Sequence, residues 1–99
     1  MSYRLSAKAE EDLAEIWVYS AKHWGIEQAD RYIDALIARF LWLSDNPALW
    51  KTRSDLVEGL YSYSQQSHLI YFRTCDDLSQ MIKILRILHA QMEPLRHVR

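Results

Sequence analysis

Three side chains in the last third of the chain are of types that can act together on a phosphate: Arg73, Arg86 and His89. Guanidinium groups hold phosphate oxygens, and a histidine can give or take a proton near neutral pH. If the strands that carry them bring the three to one sheet face, they would suit a ribonuclease site. The favoured interpretation is a salt-bridged sheet surface, because no acidic base or tyrosine accompanies them at the C-terminus. The two arginines would then pair with Asp76, Asp77 or Glu58.

Other recurrent catalytic and ligand-binding patterns do not occur in the sequence. Its two glycines cannot build a phosphate-binding loop, and the four histidines are scattered without the paired spacing of a zinc site. Nothing resembles the nucleophile elbow of a serine hydrolase. We therefore expect no cofactor, no metal ion and no catalytic residue, with the set Arg73, Arg86 and His89 as the alternative.

Composition argues against a protein that holds nucleic acid by its phosphates. Twelve Lys and Arg stand against thirteen Asp and Glu, whereas such proteins usually carry a basic excess. This balance weakens a nucleic-acid role, and the mildly basic C-terminal half keeps that role open. Cys75 is the only cysteine, so no disulfide can form within the chain, and no apolar run has the length of a signal peptide or membrane span. We expect one cytoplasmic domain, residues 1–99, without membrane contact.

The first half of the chain predicts two amphipathic helices joined at Gly25. Ser6 offers an N-cap for the first helix, Gly25 offers its C-cap, and Asn46-Pro47 ends the second. Apolar residues recur at helical spacing on one face of each helix. These faces are Leu13, Ile16, Trp17, Ser20 and Trp24 in the first helix, and Ile26, Ala29, Ile33, Leu36, Ile37, Phe40 and Leu43 in the second. The resulting helical hairpin needs an apolar cover.

The cover is predicted to be a small sheet. A short extended segment, Tyr3-Arg4-Leu5, precedes the helices, a loop follows at 46–55, and β-rich runs occupy 56–63, 68–74 and 80–88. The connections at 64–67 and 75–79 are short enough for antiparallel hairpins. The sequence therefore predicts a β-α-α-β-β-β chain of the α+β class, with the helical hairpin packed on a small, mainly antiparallel sheet.

The chain resembles the ParE branch of the RelE/ParE toxin superfamily. The resemblance covers nearly the whole chain and depends on the order and spacing of many short pieces. They are Tyr3-Arg4-Leu5-Ser6, Asp12-Leu13, Ile16-Trp17, Trp24-Gly25, Gln28-Ala29, Asn46-Pro47, Gly59-Leu60-Tyr61, Ser67-His68, Tyr71-Phe72-Arg73, the run from Ile84 to His89, and Met92. The fold of that family agrees with the element order derived above.

The resemblance implies the toxin of a bacterial type II toxin–antitoxin module, held harmless by a ParD-like antitoxin in a hetero-oligomer. ParE toxins are understood to poison DNA gyrase, and the modules are associated with plasmid stabilisation. RelE relatives instead cut messenger RNA on the ribosome, often with a C-terminal tyrosine. No tyrosine follows Tyr71 here, which favours the ParE activity. The alternatives are a RelE-type endoribonuclease and a degenerate toxin that only binds its antitoxin.

Two sets of contact residues are predicted from this interpretation. A disordered antitoxin tail would fold onto an exposed sheet face or helix–sheet groove, and basic residues beside it would attract an acidic tail. The predicted antitoxin contacts are Trp42, Trp50, Tyr61, Tyr63, Leu69, Arg73 and Arg86. The predicted contacts with the target are His89, Met92, Arg96 and His97.

Overall fold

The computed structural model describes residues 2–75 and 81–98. A short strand, β1 (Tyr3–Leu5), leads into two helices, α1 (Ala7–Trp24) and α2 (Ile26–Asp45). The strands β2 (Lys51–Thr52), β3 (Tyr61–Gln65), β4 (His68–Thr74) and β5 (Ile82–His89) follow. Turns of 3₁₀ helix occupy Pro47–Leu49 and Pro94–Arg96. No helix in the described ranges has the length and apolar character to cross a membrane.

The helix boundaries lie where the sequence predicts them. The Ser6 side chain accepts a hydrogen bond from the backbone N–H of Ala9, as an N-cap does. Gly25 separates the helices with φ 94° and ψ 162°, a backbone conformation that residues with a Cβ rarely adopt. Asn46 follows the last residue of α2. The hairpin prediction is confirmed.

The five strands form one sheet in the order β1-β5-β4-β3-β2. β1 pairs with β5 in parallel, and the other three pairings are antiparallel. The predicted α+β fold with a mainly antiparallel sheet is therefore confirmed. An irregularity between Tyr71 and Phe72 shifts the β4–β5 register, so that Leu85 is the extra residue on β5.

The bulge decides which side chains of β5 reach which apolar cluster. Ile84 and Ile87, an odd number of residues apart, both join the core that β4 and the helices share. Leu85 and Leu88 belong to a second, smaller cluster with Tyr71 and Leu60. The helix-side core also contains Ala9, Ile16, Leu36, Phe40, Leu43, Ile70, Phe72 and Ile82. Both clusters fix the position of β5, which carries most of the candidate site.

Several predicted details of the helices and strands are wrong. Trp24 and Ile26, placed on the apolar faces of the hairpin, are 64% and 62% exposed, because they lie at the hairpin tip. The strand predicted from Leu56 begins only at Tyr61. Residues 53–60 form a loop instead, closed by a hydrogen bond from the backbone N–H of Arg53 to the carbonyl oxygen of Leu60. The loop predicted at 46–55 contains the short strand β2, and the predicted connection 75–79 lies outside the described residues except for Cys75.

Candidate interaction site

The site begins where β1 ends and leaves the edge of β5 without a neighbouring strand. The parallel pairing stops at Leu5 opposite Ile84. Beyond this residue, two side chains near the start of α1 form hydrogen bonds with the backbone of β5. The Ser6 hydroxyl donates to the carbonyl oxygen of Leu85 at 2.8 Å, and the backbone N–H of Ile87 donates to Asp12 Oδ2 at 2.9 Å. Backbone groups that would otherwise be unpaired at the edge are thereby satisfied.

Asp12 also holds Arg86 in a bidentate ion pair. The Arg86 Nε and Nη2 atoms donate to Asp12 Oδ2 and Oδ1 at 2.8 and 2.9 Å. Asp12 is only 7% exposed. The hydrogen bonds to its carboxylate are the main cause that raises the pKa of Arg86 above its usual range. Arg86 Nη1 donates in addition to the carbonyl oxygen of His97 at 3.3 Å, so one guanidinium joins α1, β5 and the C-terminal segment.

A second polar group lies where β4 begins and β5 ends. His68 and His89 are paired in the sheet register, with their rings perpendicular and 5.5 Å apart. The Tyr32 hydroxyl of α2 lies 2.7 Å from His68 Nδ1 and 3.2 Å from the carbonyl oxygen of Gln65. Burial, with a smaller contribution from His89, lowers the pKa of His68, so this ring is neutral at pH 7. Burial likewise raises the pKa of Tyr32.

An aromatic cluster at the end of α1 faces the same space. The rings of Tyr19 and His23 stack at 4.0 Å, and Trp24 meets Tyr19 edge-on at 5.9 Å. His23 Nδ1 lies 2.8 Å from the carbonyl oxygen of Tyr19, which fixes the proton on that nitrogen. Tyr19 and Trp24 are nevertheless 57% and 64% exposed. Large aromatic surfaces left in water are typical of sites that bind a partner.

These groups line a groove of about 780 Å³ between α1, the start of α2, the β3–β4 turn and the end of β5. We call it the α1–β5 groove. Its wall and floor include Asp12, Glu15, Tyr19, Trp24, Tyr32, His68, Arg86, His89 and Met92. Within the described ranges, no cluster of three or more His, Cys, Asp or Glu side chains is arranged to hold a metal ion. The groove therefore offers an apolar aromatic wall and a polar floor.

The candidate catalytic residues do not come together. His89 pairs with His68 at one end of β4, whereas Arg73 pairs with Lys83 near the other end, roughly 17 Å away along the strand. Arg86 is paired with Asp12, a residue that was not among the acidic partners predicted for it. The alternative considered from the sequence, in which the three meet at one phosphate site, therefore does not fit this arrangement. Asp76 and Asp77, the predicted partners of Arg73, lie outside the described residues.

The predicted antitoxin contacts divide among separate parts of the molecule. Trp42, Trp50, Tyr61 and Tyr63 are half-buried against the helix-side core. Trp50 packs on Tyr61 and on Phe72, and its Nε1–H donates to the carbonyl oxygen of Leu43 at 2.7 Å. Leu69 packs instead against the smaller cluster around Tyr71. Arg73 is exposed on β4, and Arg86 is held in the groove.

The predicted target contacts also separate. His89 and Met92 line the α1–β5 groove, whereas Arg96 and His97 do not. Arg96 is exposed in the second 3₁₀ turn. His97 is half-buried, and its carbonyl oxygen accepts the hydrogen bond from Arg86. Next to it, Val98 packs on the smaller apolar cluster, so the C-terminal segment is fixed on both sides.

Sequence reasoning missed the residues of α1 that build the groove. Asp12 was assigned no role in a site, and Trp24 was placed on the apolar face of the first helix. A signal for Asp12 exists, because it falls with Ala9, Ile16 and Ser20 on the stripe of α1 that the structure buries. A carboxylate in a buried stripe demands a cationic or N–H partner. No comparable pattern identifies Glu15, Tyr19, Tyr32 or His68 as neighbours in space.

Comparison with known proteins agrees with this architecture. Residues 3–94 match the family model described as the ParE toxin of the type II toxin–antitoxin system parDE. The chain belongs to the ParE toxin family. Toxin ParE1 of Caulobacter vibrioides is 32% identical over 96 residues, covering 97% of this chain and 96% of the relative. Toxin ParE1 of Mycobacterium tuberculosis is 28% identical over the same shares of both chains.

Solved structures share the fold of this ParE-family toxin. A chain of the chromosomal ParDE system from P. aeruginosa superposes with a TM-score of 0.75 at 22% identity, covering 92% of this chain and 97% of that one. A chain of the RelBE2 toxin–antitoxin complex from Mycobacterium tuberculosis gives 0.64 at 21% identity, with 89% and 95% covered. At these identities the similarity is one of fold.

Proposed function

We propose that this ParE-family toxin arrests growth in the cytoplasm by binding DNA gyrase, and that a ParD-like antitoxin neutralises it in a hetero-oligomer. The ParE1 toxins of two bacteria resemble it over nearly their whole length. The structurally similar chain from P. aeruginosa belongs to a ParDE system. Both similarities support a partner of the ParD type, and the family supports gyrase as the target.

Action by surface contact is supported above all by the position of Arg86. A guanidinium that stabilises phosphate charge during RNA cleavage must be free to meet the substrate. Here the Arg86 guanidinium already donates hydrogen bonds to the Asp12 carboxylate and to the carbonyl oxygen of His97. Arg73 lies near the end of β4, whereas His89 lies beside the start of β4, so the three candidate groups do not surround one phosphate. We therefore propose inhibition without bond cleavage by the toxin itself.

The C-terminal segment remains our proposed target-facing surface. It contains Met92 and Leu95, two exposed apolar side chains, beside the exposed Arg96. Because Arg86 and Val98 fix the segment at its far end, these side chains are presented from a held backbone. A pre-ordered surface binds with a smaller entropic cost than a free tail.

Purified gyrase and a cell-free translation system test this proposal. The toxin should block supercoiling of relaxed plasmid while translation of added messenger RNA continues and its transcripts stay intact. The variant Arg96→Ala should weaken gyrase inhibition several-fold, and Arg31→Ala, an exposed arginine of α2, should not. Transcript cleavage with normal supercoiling would replace the proposal with the RelE-type activity. Inactivity in both assays, from a folded toxin, would leave a protein that only binds its antitoxin.

A further inference from the structure

The sheet brings two histidines together at the floor of the α1–β5 groove. His68 of β4 and His89 of β5 are direct partners in the antiparallel register, two residues from the paired Ile70 and Ile87 of the helix-side core. Because alternate residues of a strand point to the same face, both imidazoles lie on the helix side of the sheet, and both line the groove. Strand pairing therefore unites two residues that no spacing in the sequence connects.

The backbone hydrogen bonds around this pair place the two side chains as close together as an antiparallel sheet allows. The backbone N–H of Ala90 donates to the carbonyl oxygen of Ser67 at 2.8 Å. Since this bond flanks His68 and His89, the two histidines form a non-hydrogen-bonded pair, the type in which the Cα atoms are only about 4.5 Å apart. Their ring centroids are 5.5 Å apart, and the ring planes meet at 80°.

This separation of the rings suits a shared metal ion. With Zn–N bonds of about 2.0–2.1 Å and tetrahedral angles, two imidazoles on one ion have their centroids roughly 5 Å apart. Small rotations about the side-chain bonds of His68 and His89 therefore bring one nitrogen of each ring to a common point. Imidazole nitrogen suits Zn²⁺, Ni²⁺ and Cu²⁺, whereas Mg²⁺ and Ca²⁺ prefer oxygen ligands. The donor set thus favours a transition metal.

Tyr32 orients one of the two rings in the way that metal-binding histidines are usually oriented. Its hydroxyl donates to the carbonyl oxygen of Gln65, and its contact with His68 is a second hydrogen bond only if His68 Nδ1 carries the proton. His68 Nε2 then keeps a lone pair for an ion. His89 Nδ1 accepts a bond of 3.2 Å from the backbone N–H of Gln91. Because His89 is exposed, water can replace this bond when Nε2 binds the ion.

We propose that His68 and His89 together bind one divalent transition-metal ion, Zn²⁺, Ni²⁺ or Cu²⁺, in the α1–β5 groove. Within the described ranges no third His, Cys, Asp or Glu is placed to complete the site, so water occupies the remaining positions. The ion joins the first residue of β4 to the last residue of β5. It thereby stabilises the end of the strand pair from which the C-terminal segment leaves the sheet.

Calorimetric titration of the untagged full-length toxin with Zn²⁺ tests this site. One ion should bind per chain, and Mg²⁺ should not bind. His89→Gln should weaken Zn²⁺ binding at least tenfold, and its exposed position leaves the fold intact, which circular dichroism checks. His23→Gln is the matched control, because His23 is also exposed but does not line the groove, and it should change the affinity less than twofold. Tyr32→Phe should weaken binding about tenfold through loss of the orienting bond.

Two further measurements identify the ligands and the effect of the ion. The electron paramagnetic resonance spectrum of the Cu²⁺ complex should show coupling to two imidazole nitrogens in the wild type and to one in His89→Gln. Saturating Zn²⁺ should raise the midpoint of thermal unfolding by several degrees in the wild type but not in His89→Gln, because only the folded chain holds the pair together. Undiminished affinity of His89→Gln would overturn the proposal. Loss of binding in Cys75→Ser, with both histidines present, would also overturn it, because the ion would then lie at the thiol.

Discussion

Replacing Asp12 with alanine is expected to lower the free energy of unfolding by about 3 kcal/mol. The carboxylate accepts two hydrogen bonds from Arg86 and one from the backbone N–H of Ile87, all between 2.8 and 2.9 Å. Its loss leaves a nearly buried guanidinium without its counter-charge, which typically costs about 3–5 kcal/mol. We take the lower end because the Arg86 side chain retains 16% exposure and its bond to the His97 carbonyl oxygen.

Urea denaturation followed by circular dichroism measures this change, and the midpoint of thermal unfolding should fall by roughly 15 °C. Asp55→Ala is the control. Asp55 pairs with Arg53 at 3.2 Å, but its side chain is 63% exposed, so solvent screens the pair and the midpoint should scarcely move. The comparison separates the effect of burial from that of an ion pair as such.

A double variant tests whether the unpaired charge is the cause. Asp12→Leu combined with Arg86→Met removes both charges together, and it should be more stable than the sum of the two single effects implies. A loss below about 1 kcal/mol for Asp12→Ala would refute our reasoning, because that is the range of exposed pairs. Strictly additive losses in the double variant would also contradict it.

Three further predictions concern other parts of the fold. Because burial and His89 lower the pKa of His68 below its ordinary 6.5, the unfolded chain binds more protons there, so the free energy of unfolding should fall as the pH drops through 6.5. Urea titrations across this range should show a smaller fall for His68→Gln, and an equal fall would contradict the assignment. Trp50→Phe should cost about 1 kcal/mol in urea denaturation through loss of the bond to Leu43, and Trp50→Ala about 3–4 kcal/mol; equal losses would exclude a packing role for the ring. Gly25→Ala should lower the stability by about 1–2 kcal/mol in thermal unfolding through its φ of 94° alone, since no atom lies within 4 Å of an added Cβ; an unchanged midpoint would show that the turn adjusts freely.

The helical hairpin could be predicted because its signals are local. Ser6 supplies a side-chain acceptor for a free N–H, Gly25 permits a positive φ, and Asn46-Pro47 ends α2; each acts through residues adjacent in sequence. Periodicity also identifies which residues share a helix face. It does not show how far the opposing sheet extends, so Trp24 and Ile26 were assigned to an interior that does not reach the hairpin tip.

Strand boundaries were less predictable because loops can also bury apolar residues. Leu56 and Val57 pack against the smaller cluster from within the 53–60 loop, so their apolar character does not mark a strand. The two-residue β2 has no periodicity that a pattern could detect. The bulge at Leu85 depends on the pairing with β4, which is not a property of either strand alone.

The candidate site depended most on contacts between residues distant in sequence. Asp12 and Arg86 are 74 positions apart, and only the folded chain shows that they form a pair. Two of the predicted target contacts, His89 and Met92, line the groove together with Tyr19 and Trp24. The predicted target contacts therefore included two residues that line the groove, but not the groove residues around them.

The Asp12–Arg86 pair is the main difference between the predicted and the observed site, because it changes the charge that the groove presents. An unpaired Arg86 would make the groove positive and suited to RNA or to an acidic tail. In the structure Asp12 both caps the edge of β5 and neutralises Arg86. An edge capped by serine could have satisfied the backbone as well, but it would have left the arginine free. The use of a carboxylate at position 12 therefore has two effects at once: it pairs the backbone N–H of Ile87 at the edge of β5, and it neutralises Arg86.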